Sequence, residues 1–179
     1  TTGEVLNNGK NVRTSEDWKS FTSAFLDESF LISYLMPEEY FYFVGELRNF
    51  SKKQVDEFLS QFEDLFNGEI LGGKKFIRDL SKGNQKKVGI VAALIGDPEV
   101  IVLDEPFANL DPTTQIRLKK IIKNLSQKVG VTVLVSSHDL QDVTEVSDRI
   151  VLLEKGLVIK DIKKTKKTLQ DLESYFTKE

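Results

Sequence analysis

The sequence contains no cysteine, a single histidine and no long apolar run. The absence of cysteine excludes a disulfide framework and a thiolate metal site, and it is typical of proteins in a reducing compartment. No apolar stretch reaches the roughly 18 residues that a membrane-spanning helix requires, so no transmembrane segment is predicted. The 25 basic residues are outnumbered by 28 acidic ones. This balance argues against binding to nucleic acid through a broad basic surface.

The start of the chain lacks the features of a signal peptide. Residues 1–9, TTGEVLNNG, hold neither a basic region nor a long apolar region, and they lack an initiating methionine. We therefore expect the 179 residues to be part of a longer protein. Hydrophobic residues make up 40% of the sequence and charged residues 30%, the ordinary balance of a globular domain. One domain over residues 1–179, with a buried core, is predicted.

The first half of the chain has mixed patterns. Residues 4–6 and 10–12 flank an Asn-Asn-Gly turn and are predicted to form a short hairpin. Residues 21–26 are a further strand candidate. Apolar and aromatic residues at helical spacing predict one helix over 37–47 and a second over 51–68, the latter bounded by a serine and a glycine.

The second half alternates helices and strands. A buried helix is predicted over 85–95, and short apolar strands over 100–103, 131–135 and 150–153. An Asp-Pro pair predicts another helix over 111–130, which a glycine ends. Alternation of this kind gives right-handed crossovers and a parallel sheet, so the predicted fold class is α/β.

The end of the chain, over 161–179, is predicted to be a helical tail. A solvated helix with one apolar edge is the favoured interpretation, and a surface for a partner or for a membrane is the alternative. The residues concerned are Lys160, Lys163, Lys164, Lys166 and Lys167, followed by Leu169, Leu172, Tyr175 and Phe176.

Four short segments carry residue types that suit phosphate chemistry. Residues 80–85 (LSKGNQ) open a predicted helix, and residues 100–106 (VIVLDEP) end a predicted strand in two acids. Residues 109–111 (NLD) follow, and residues 133–139 (VLVSSHD) end the next strand. In this order and spacing they resemble the signature motif, the Walker B motif, the D-loop and the switch histidine of ATP-binding cassette (ABC) ATPases. The resemblance covers about residues 1–160.

The signature-like residues Ser81, Lys82, Gly83, Asn84 and Gln85 lie at a predicted helix N-terminus. Backbone N–H groups and a serine hydroxyl at such a position suit an anion. The resemblance implies that this anion is the γ-phosphate of ATP held by a second ABC ATPase domain, in a head-to-tail dimer. A simple helix cap by Ser81 is the alternative for these residues taken alone.

Asp104 and Glu105 end a predicted strand, at the edge where open α/β sheets bind ligands. The resemblance implies that Asp104 holds Mg²⁺ through water, since Mg²⁺ keeps much of its hydration. It also implies that Glu105 polarises the attacking water as a general base. Two solvated acids are the alternative, which the preceding apolar run and the following Pro106 disfavour.

His138 follows the next predicted strand. A lone histidine in such a place is more often structural than catalytic. Its spacing from the two acids nevertheless matches the switch histidine, which implies contact with the γ-phosphate and electrostatic stabilisation of the transition state. Asn109, Leu110 and Asp111 match the D-loop, which implies coupling between the two domains, while Asp111 is also predicted to cap a helix.

The upstream sensor loop is the least similar segment. Residues 24–28 occupy the place of the family's Q-loop, with Asp27 where glutamine is usual. An acid can bind Mg²⁺ or water there, but it cannot donate a hydrogen bond as an amide does. A loop acid without a role is the alternative.

No acceptable P-loop, G-x-x-x-x-G-K-[S/T], occurs in the 179 residues. Residues 68–75 (GEILGGKK) come near to it, but Lys75 replaces the hydroxyl residue that holds Mg²⁺, and the segment follows a predicted helix where a strand is required. It also lies just before the signature motif, whereas the family has its P-loop well before the Q-loop. The resemblance therefore implies a cassette truncated before the Q-loop, without Walker A.

An ABC cassette would combine a P-loop NTPase-like parallel sheet flanked by helices with a remnant of an N-terminal antiparallel β subdomain. We expect a helical subdomain over 31–80 and an α/β core over 81–160. The resemblance implies an ATPase that uses ATP and Mg²⁺ and powers a membrane transporter, with transmembrane permease subunits as partners. Its location would be the cytoplasmic face of a bacterial membrane, and the LSKGNQ variant and short tail favour an exporter.

A degenerate, non-hydrolysing interaction module is the alternative function, because the P-loop is missing. Joint presence of Asp104, Glu105, Asp111 and His138 favours an ATPase, since a module released from catalysis has no need of all four. A role in DNA repair or translation lacks support, as no long coiled coil and no second cassette is visible.

Overall fold

The computed structural model describes residues 2–177, in which helices and strands alternate from the fourth helix to the sixth strand. Short 3-10 turns occur at Asp17–Ser20, Glu28–Phe30, Ser60–Phe62 and Ile77–Asp79. The strands are β1 (Leu6–Asn7), β2 (Lys10–Asn11), β3 (Thr22–Phe25), β4 (Val100–Asp104), β5 (Thr132–Ser136), β6 (Arg149–Glu154) and β7 (Leu157–Lys163). The helices are α1 (Pro37–Leu47), α2 (Lys52–Leu59), α3 (Glu63–Phe66), α4 (Lys82–Leu94), α5 (Pro112–Ser126), α6 (Leu140–Val146) and α7 (Thr168–Phe176).

A parallel sheet in the order β3-β4-β5 is the frame of the molecule and confirms the α/β class. Its registers pair Phe25 with Leu103, and Asp104 with Ser136, so all three strands end at one edge. Helices connect the strands, because parallel neighbours need a crossover connection. This edge is where the acidic and polar residues after each strand converge.

Residues 150–153 do not extend the parallel sheet, which corrects the prediction of a third strand of that type. β6 pairs with β7 in a separate antiparallel sheet, with Glu154 opposite Leu157. Lys155 and Gly156 form the two-residue turn, both with positive φ (48° and 81°), as a type I′ hairpin requires. Residues 161–163 therefore belong to β7, and the helix of the predicted tail begins only at Thr168.

The region between β3 and α4 is helical but more broken than its sequence pattern. α1 has the predicted bounds, and α2 begins after Ser51, whose side chain forms a capping box with Gln54. The single helix predicted over 51–68 is instead α2, a 3-10 turn and α3. Asn67 and Gly68 end it in the left-handed region, at φ 53° and 69°.

The core forms around α4, of which every residue from Gln85 to Leu94 is buried. Gly89 allows the helix to approach the sheet, since a Cβ at this position would overlap the Phe25 ring. Phe41, Phe66, Ile101 and Leu103 are among the buried side chains that complete this core. Within residues 2–177, no helix has the length and apolarity to span a bilayer.

Candidate active site

Four side chains meet at the carboxyl edge of the parallel sheet, and we call them the carboxylate cluster: Asp104, Glu105, Ser136 and His138. Asp104 is the last residue of β4 and Ser136 the last residue of β5, and they are partners in the strand register. Glu105 follows β4 and His138 follows β5. The edge brings together residues that are more than 30 positions apart in the chain.

The Ser136 hydroxyl joins the two acids and was missed by sequence reasoning. Its Oγ donates a short hydrogen bond to Oδ1 of Asp104, and it accepts the backbone N–H of Glu105 at 3.1 Å. One hydroxyl therefore fixes the Asp104 carboxylate and the Glu105 backbone together. The sequence carried no signal for this contact, because only the register of β4 against β5 places Asp104 opposite Ser136.

Glu105 and His138 form the second contact of the cluster. Oε1 of Glu105 accepts the backbone N–H of His138 at 3.1 Å and lies 2.9 Å from the His138 Nδ1. This hydrogen bond and the negative charge of Glu105 raise the pKa of His138 above its ordinary 6.5. The imidazole is 83% exposed and the carboxylate 38%, so both groups can reach a ligand from solvent.

Glu105 has a backbone φ of 43°, in the left-handed region that residues with a Cβ seldom adopt. Conformations of this kind persist when the surroundings hold them, and they concentrate at functional sites. Here the Ser136 hydroxyl holds the N–H of the residue, and His138 holds its side chain. The carboxylate is thereby directed away from the end of β4.

Asp27 lies outside the hydrogen-bonded cluster. Its Oδ1 accepts the backbone N–H of Ser29 at 2.8 Å and so begins the 3-10 turn Glu28–Phe30. The hydrogen bonds from Ser29 hold the pKa of Asp27 below its ordinary 3.8. Among the described residues, no hydrogen bond or ion pair joins Asp27 to Asp104, so its role as a metal ligand stays a prediction.

The acidic side chains at this edge of the sheet provide few ligands for a metal ion. Within residues 2–177 there is no group of three or more His, Cys, Asp or Glu side chains arranged to hold a metal. Mg²⁺ in nucleotide sites is commonly held by one or two carboxylates, water and the substrate phosphates. Asp104 fits that smaller demand, because it is exposed and only its Oδ1 takes a hydrogen bond within the described chain.

The signature-like residues open α4 as predicted. Ser81 is the N-cap, and its Oγ accepts the backbone N–H of Asn84 at 3.2 Å. Ser81 and Lys82 are exposed, and Gly83 and Asn84 are half-buried. The Asn84 amide donates to Glu69 at 3.0 Å. An anion could approach the exposed end of this helix.

Gln85 differs from the four residues before it. It is 8% exposed, and its amide nitrogen donates to the carbonyls of Leu80 (3.0 Å) and Arg78 (3.4 Å). The side chain is therefore used within the chain, which disfavours its predicted contact with a nucleotide on a second domain. A helix begun at Ser81 turns its fourth residue inward, and the sequence pattern did not reveal this.

The D-loop residues pack beside the signature-like helix. A Cβ on Gly83 would lie 3.5 Å from the Asn109 carbonyl and 3.6 Å from Leu110 Cδ2, so the two segments are in near contact. Asn109 has φ 62°, which turns the chain towards α5. Asp111 caps α5 by accepting from the Thr114 backbone N–H at 3.0 Å, and these Thr114 hydrogen bonds lower the pKa of Asp111.

A phosphate loop connects a strand to a helix, and the P-loop-like segment 68–75 has neither a strand directly before it nor an α-helix directly after it. It follows α3, and the next regular element is the 3-10 turn Ile77–Asp79. The backbone N–H of Gly72 already donates to the Glu38 carboxylate through a short hydrogen bond. The structure therefore agrees with the rejection of this segment as Walker A.

Comparisons with known proteins show which domains this chain is similar to. A family model described as "AAA domain, putative AbiEii toxin, Type IV TA system" matches residues 10–141. An uncharacterized ABC transporter ATP-binding protein of Synechocystis is 34% identical over 131 residues, which is 73% of this chain and 37% of that protein. The methionine import ATP-binding protein MetN of Carboxydothermus hydrogenoformans is 28% identical over 116 residues, 65% of this chain and 34% of that protein.

Another similar protein is the energy-coupling factor transporter ATP-binding protein EcfA2 of Staphylococcus epidermidis, 35% identical over 94 residues, 52% of this chain and 32% of that protein. The chain thus spans about a third of the length of these relatives. Among solved structures, a dimeric post-hydrolysis state of the ATP-binding cassette MJ0796, bound to ADP and Pi, matches with a TM-score of 0.75. It is 23% identical, and the match covers 91% of this chain and 74% of that chain, which shows a shared fold. The chain therefore belongs to this AAA domain family, and it is similar to the ATP-binding proteins of ABC transporters.

Proposed function

We propose that the protein containing this chain is the ATP-hydrolysing subunit of an ABC membrane transporter. The observation that carries the proposal is the carboxylate cluster, in which Ser136 holds Asp104 and Glu105 together and Glu105 holds His138. A strand-end acid, a second acid with a fixed backbone and an adjacent imidazole are the groups that phosphoryl transfer to water requires.

Each residue of the cluster has a distinct role in this proposal. Asp104 would hold Mg²⁺ through water, and the ion would neutralise charge on the phosphates of ATP. Glu105 accepts a proton from the attacking water, and its fixed backbone limits where its carboxylate can lie. His138 lies beside Glu105 with a raised pKa, so it can donate a hydrogen bond to a phosphate oxygen.

The partners of the proposed subunit follow from the signature-like and D-loop residues. Ser81 to Asn84 would bind the γ-phosphate of ATP held by a second ABC ATPase domain, in a head-to-tail dimer. Transmembrane permease subunits would form the transport path, at the cytoplasmic face of a bacterial membrane. Export stays a prediction, because the relatives whose printed names state a direction act in import or uptake.

Glu105→Gln in the complete protein tests the assignment of the base. The substitution keeps the shape of the side chain and removes its basicity, so we expect ATP to bind while turnover falls by on the order of 100-fold or more. Turnover and ATP affinity are measured separately. Glu99→Gln, at the opposite end of the same strand, is the matched control and leaves turnover unchanged. Normal turnover of Glu105→Gln would contradict the proposal.

The alternative, a non-hydrolysing interaction module, predicts no ATP turnover in the complete protein with or without Glu105. The coding sequence upstream of Thr1 separates the two functions before any assay. An open reading frame that continues upstream and encodes a P-loop supports the ATPase, whereas an open frame without a P-loop supports the module.

For the 179-residue chain by itself, we expect little or no binding of MgATP. The phosphate-binding loop is not among its residues, and residues 68–75 do not replace it. Titration calorimetry with MgATP measures this directly. Micromolar binding would mean that another segment of the chain binds the phosphates.

A further inference from the structure

Lys86 is a buried lysine beside the carboxylate cluster, and none of the motifs accounts for it. It lies in the second turn of α4, and its side chain is 7% exposed. A buried charge is tolerated only when it is paired and hydrogen-bonded. The contacts of its ammonium group therefore indicate what keeps a lysine at this position.

The ammonium of Lys86 binds the turn that begins at Glu105. Its Nζ donates to the Glu105 carbonyl at 2.9 Å and to the Ala108 carbonyl at 3.0 Å. The same turn is closed by the Ala108 N–H, which donates to the Glu105 carbonyl at 3.3 Å. Lys86 thus fixes both ends of the four-residue segment that leads from the acid towards the D-loop.

The backbone of Glu105 is consequently held on both sides. Ser136 accepts its N–H, and Lys86 donates to its carbonyl. These two contacts come from different elements, β5 and α4. Together they maintain the positive φ of 43° that this non-glycine residue would otherwise avoid.

A third partner connects Lys86 to the loop after β3. Oε1 of Glu28 lies 3.6 Å from the ammonium, and the Glu28 side chain is 13% exposed. Glu28 follows Asp27 directly, within the 3-10 turn that Asp27 begins. One buried ion pair therefore joins the loops that follow β3 and β4 to the helix that the signature-like residues open.

We infer that Lys86 is a positioning residue for ATP hydrolysis, which acts on Glu105 through the backbone of the 105–108 turn. Glu28 supports it by holding the ammonium in place beside the two carbonyls. The inference rests on the proposed function, because it takes Glu105 as the base. Displacing a reacting group by about 1 Å can cost on the order of 100-fold in rate.

Lys86→Met in the complete protein removes the ammonium and retains much of the apolar length. We expect kcat to fall by about 10- to 100-fold, with KM for ATP nearly unchanged, since no contact to the nucleotide is removed. Lys119→Met is the matched control: Lys119 is also largely buried and paired with two acids, Asp142 and Glu145. Its ammonium lies 5.8 Å from the Phe107 ring of the same turn, but among the described residues it donates no hydrogen bond to the backbone of that turn. The control lowers stability and leaves kcat per folded molecule unchanged.

A double-mutant cycle with Glu105→Gln separates positioning from a general effect on folding. If Lys86 acts through Glu105, Lys86→Met lowers the residual single-turnover rate of Glu105→Gln by much less than it lowers that of the unmodified protein. Equal losses in both backgrounds would overturn the inference. Inactive Glu105→Gln together with full activity of Lys86→Met would also overturn it, while leaving the proposed function intact.

Hydrogen exchange on the 179-residue chain gives a readout without activity. We expect Lys86→Met to speed exchange of the Ala108 amide, which bonds within the turn, more than Lys119→Met does. If Lys86→Met does not fold, Glu28→Gln replaces it, because it weakens the ion pair and keeps both carbonyl contacts. Glu28→Gln should speed the same exchange and lower kcat a few-fold, and no change in either would contradict the inference.

Discussion

The carboxylate cluster and the signature-like segment lie in the same molecule but are held in different ways. In the cluster, side chains hold one another across β4 and β5, as when Ser136 bonds both Asp104 and the Glu105 backbone. In the signature-like segment, Ser81 makes the contact of a helix start, since it bonds an N–H three residues on, and the Asn84 amide reaches Glu69. The first arrangement is tertiary, and the second is local at Ser81.

This difference has consequences for stability and for activity. A residue with local contacts, such as a helix cap, stabilises its own helix. Its removal therefore lowers the stability of the protein, whether or not that helix lies near a site. A residue that only orients an exposed acid contributes little to folding, and its loss is seen in the rate. Substitutions in the two regions should therefore separate along these two measurements.

Ser136→Ala is expected to have the largest effect of the substitutions that compare the two regions. Without the hydroxyl, Asp104 and the Glu105 N–H lose their common partner, and turnover of the complete protein should fall by on the order of 10- to 100-fold. Stability should fall by only about 1 kcal/mol, the typical worth of a hydrogen bond. Ser137→Ala, which removes a local contact to the Asp139 N–H, should change turnover far less. Similar turnover in both variants would show that the Ser136 hydroxyl does not position Asp104 and Glu105 for hydrolysis.

The local features of the structure could be predicted from the sequence. The caps at Ser51, Ser81 and Asp111 are present, because a short polar side chain before an apolar helical pattern satisfies N–H groups within its own segment. The apolar runs before Asp104 and Ser136 predicted the parallel strands, although the full coverage that such runs indicate is not reached in β5, where Leu134 is exposed.

Contacts between distant residues could not be predicted in the same way. Ser136 meets Asp104 only because of the strand register, and Lys86 meets Glu105 only because α4 packs beneath the β4–α5 loop. The pairing of β6 with β7 was missed although the two-residue turn Lys155-Gly156 indicates it, because an apolar run alone does not identify its partner strand. The inward direction of the Gln85 side chain depends on helix phase and on the packing of α4, so the motif by itself did not indicate it.

Substitutions of Ser81 have a smaller expected effect than Ser136→Ala, and they test two roles. Ser81 caps its own helix, and it is also proposed to bind the γ-phosphate of ATP held by a second domain. Ser81→Ala removes the cap of α4 and should cost about 1 kcal/mol, a fall in Tm of about 2–4 °C. Ser81→Asp restores a cap, so the Tm should recover. Its negative charge would however repel a phosphate, so turnover of the complete protein should stay low. Recovery of both the Tm and the turnover would show that Ser81 acts only as a helix cap.

The titration of His138 has the smallest expected effect, and it isolates the contact between His138 and Glu105. It is the only histidine among the 179 residues, so its titration can be followed by NMR in the chain itself. Its pKa is raised by Glu105, so Glu105→Gln should lower the pKa towards the ordinary 6.5, whereas Glu99→Gln should leave it unchanged.

A raised pKa in the folded state means that the contact stabilises the fold below pH 6.5 and that this contribution disappears as the pH rises through the folded value. The stability difference between the unmodified chain and Glu105→Gln should therefore be larger at pH 6 than at pH 8. An unchanged pKa in Glu105→Gln would show that the two side chains do not interact in solution, and the cluster would then consist of Asp104, Ser136 and the Glu105 backbone.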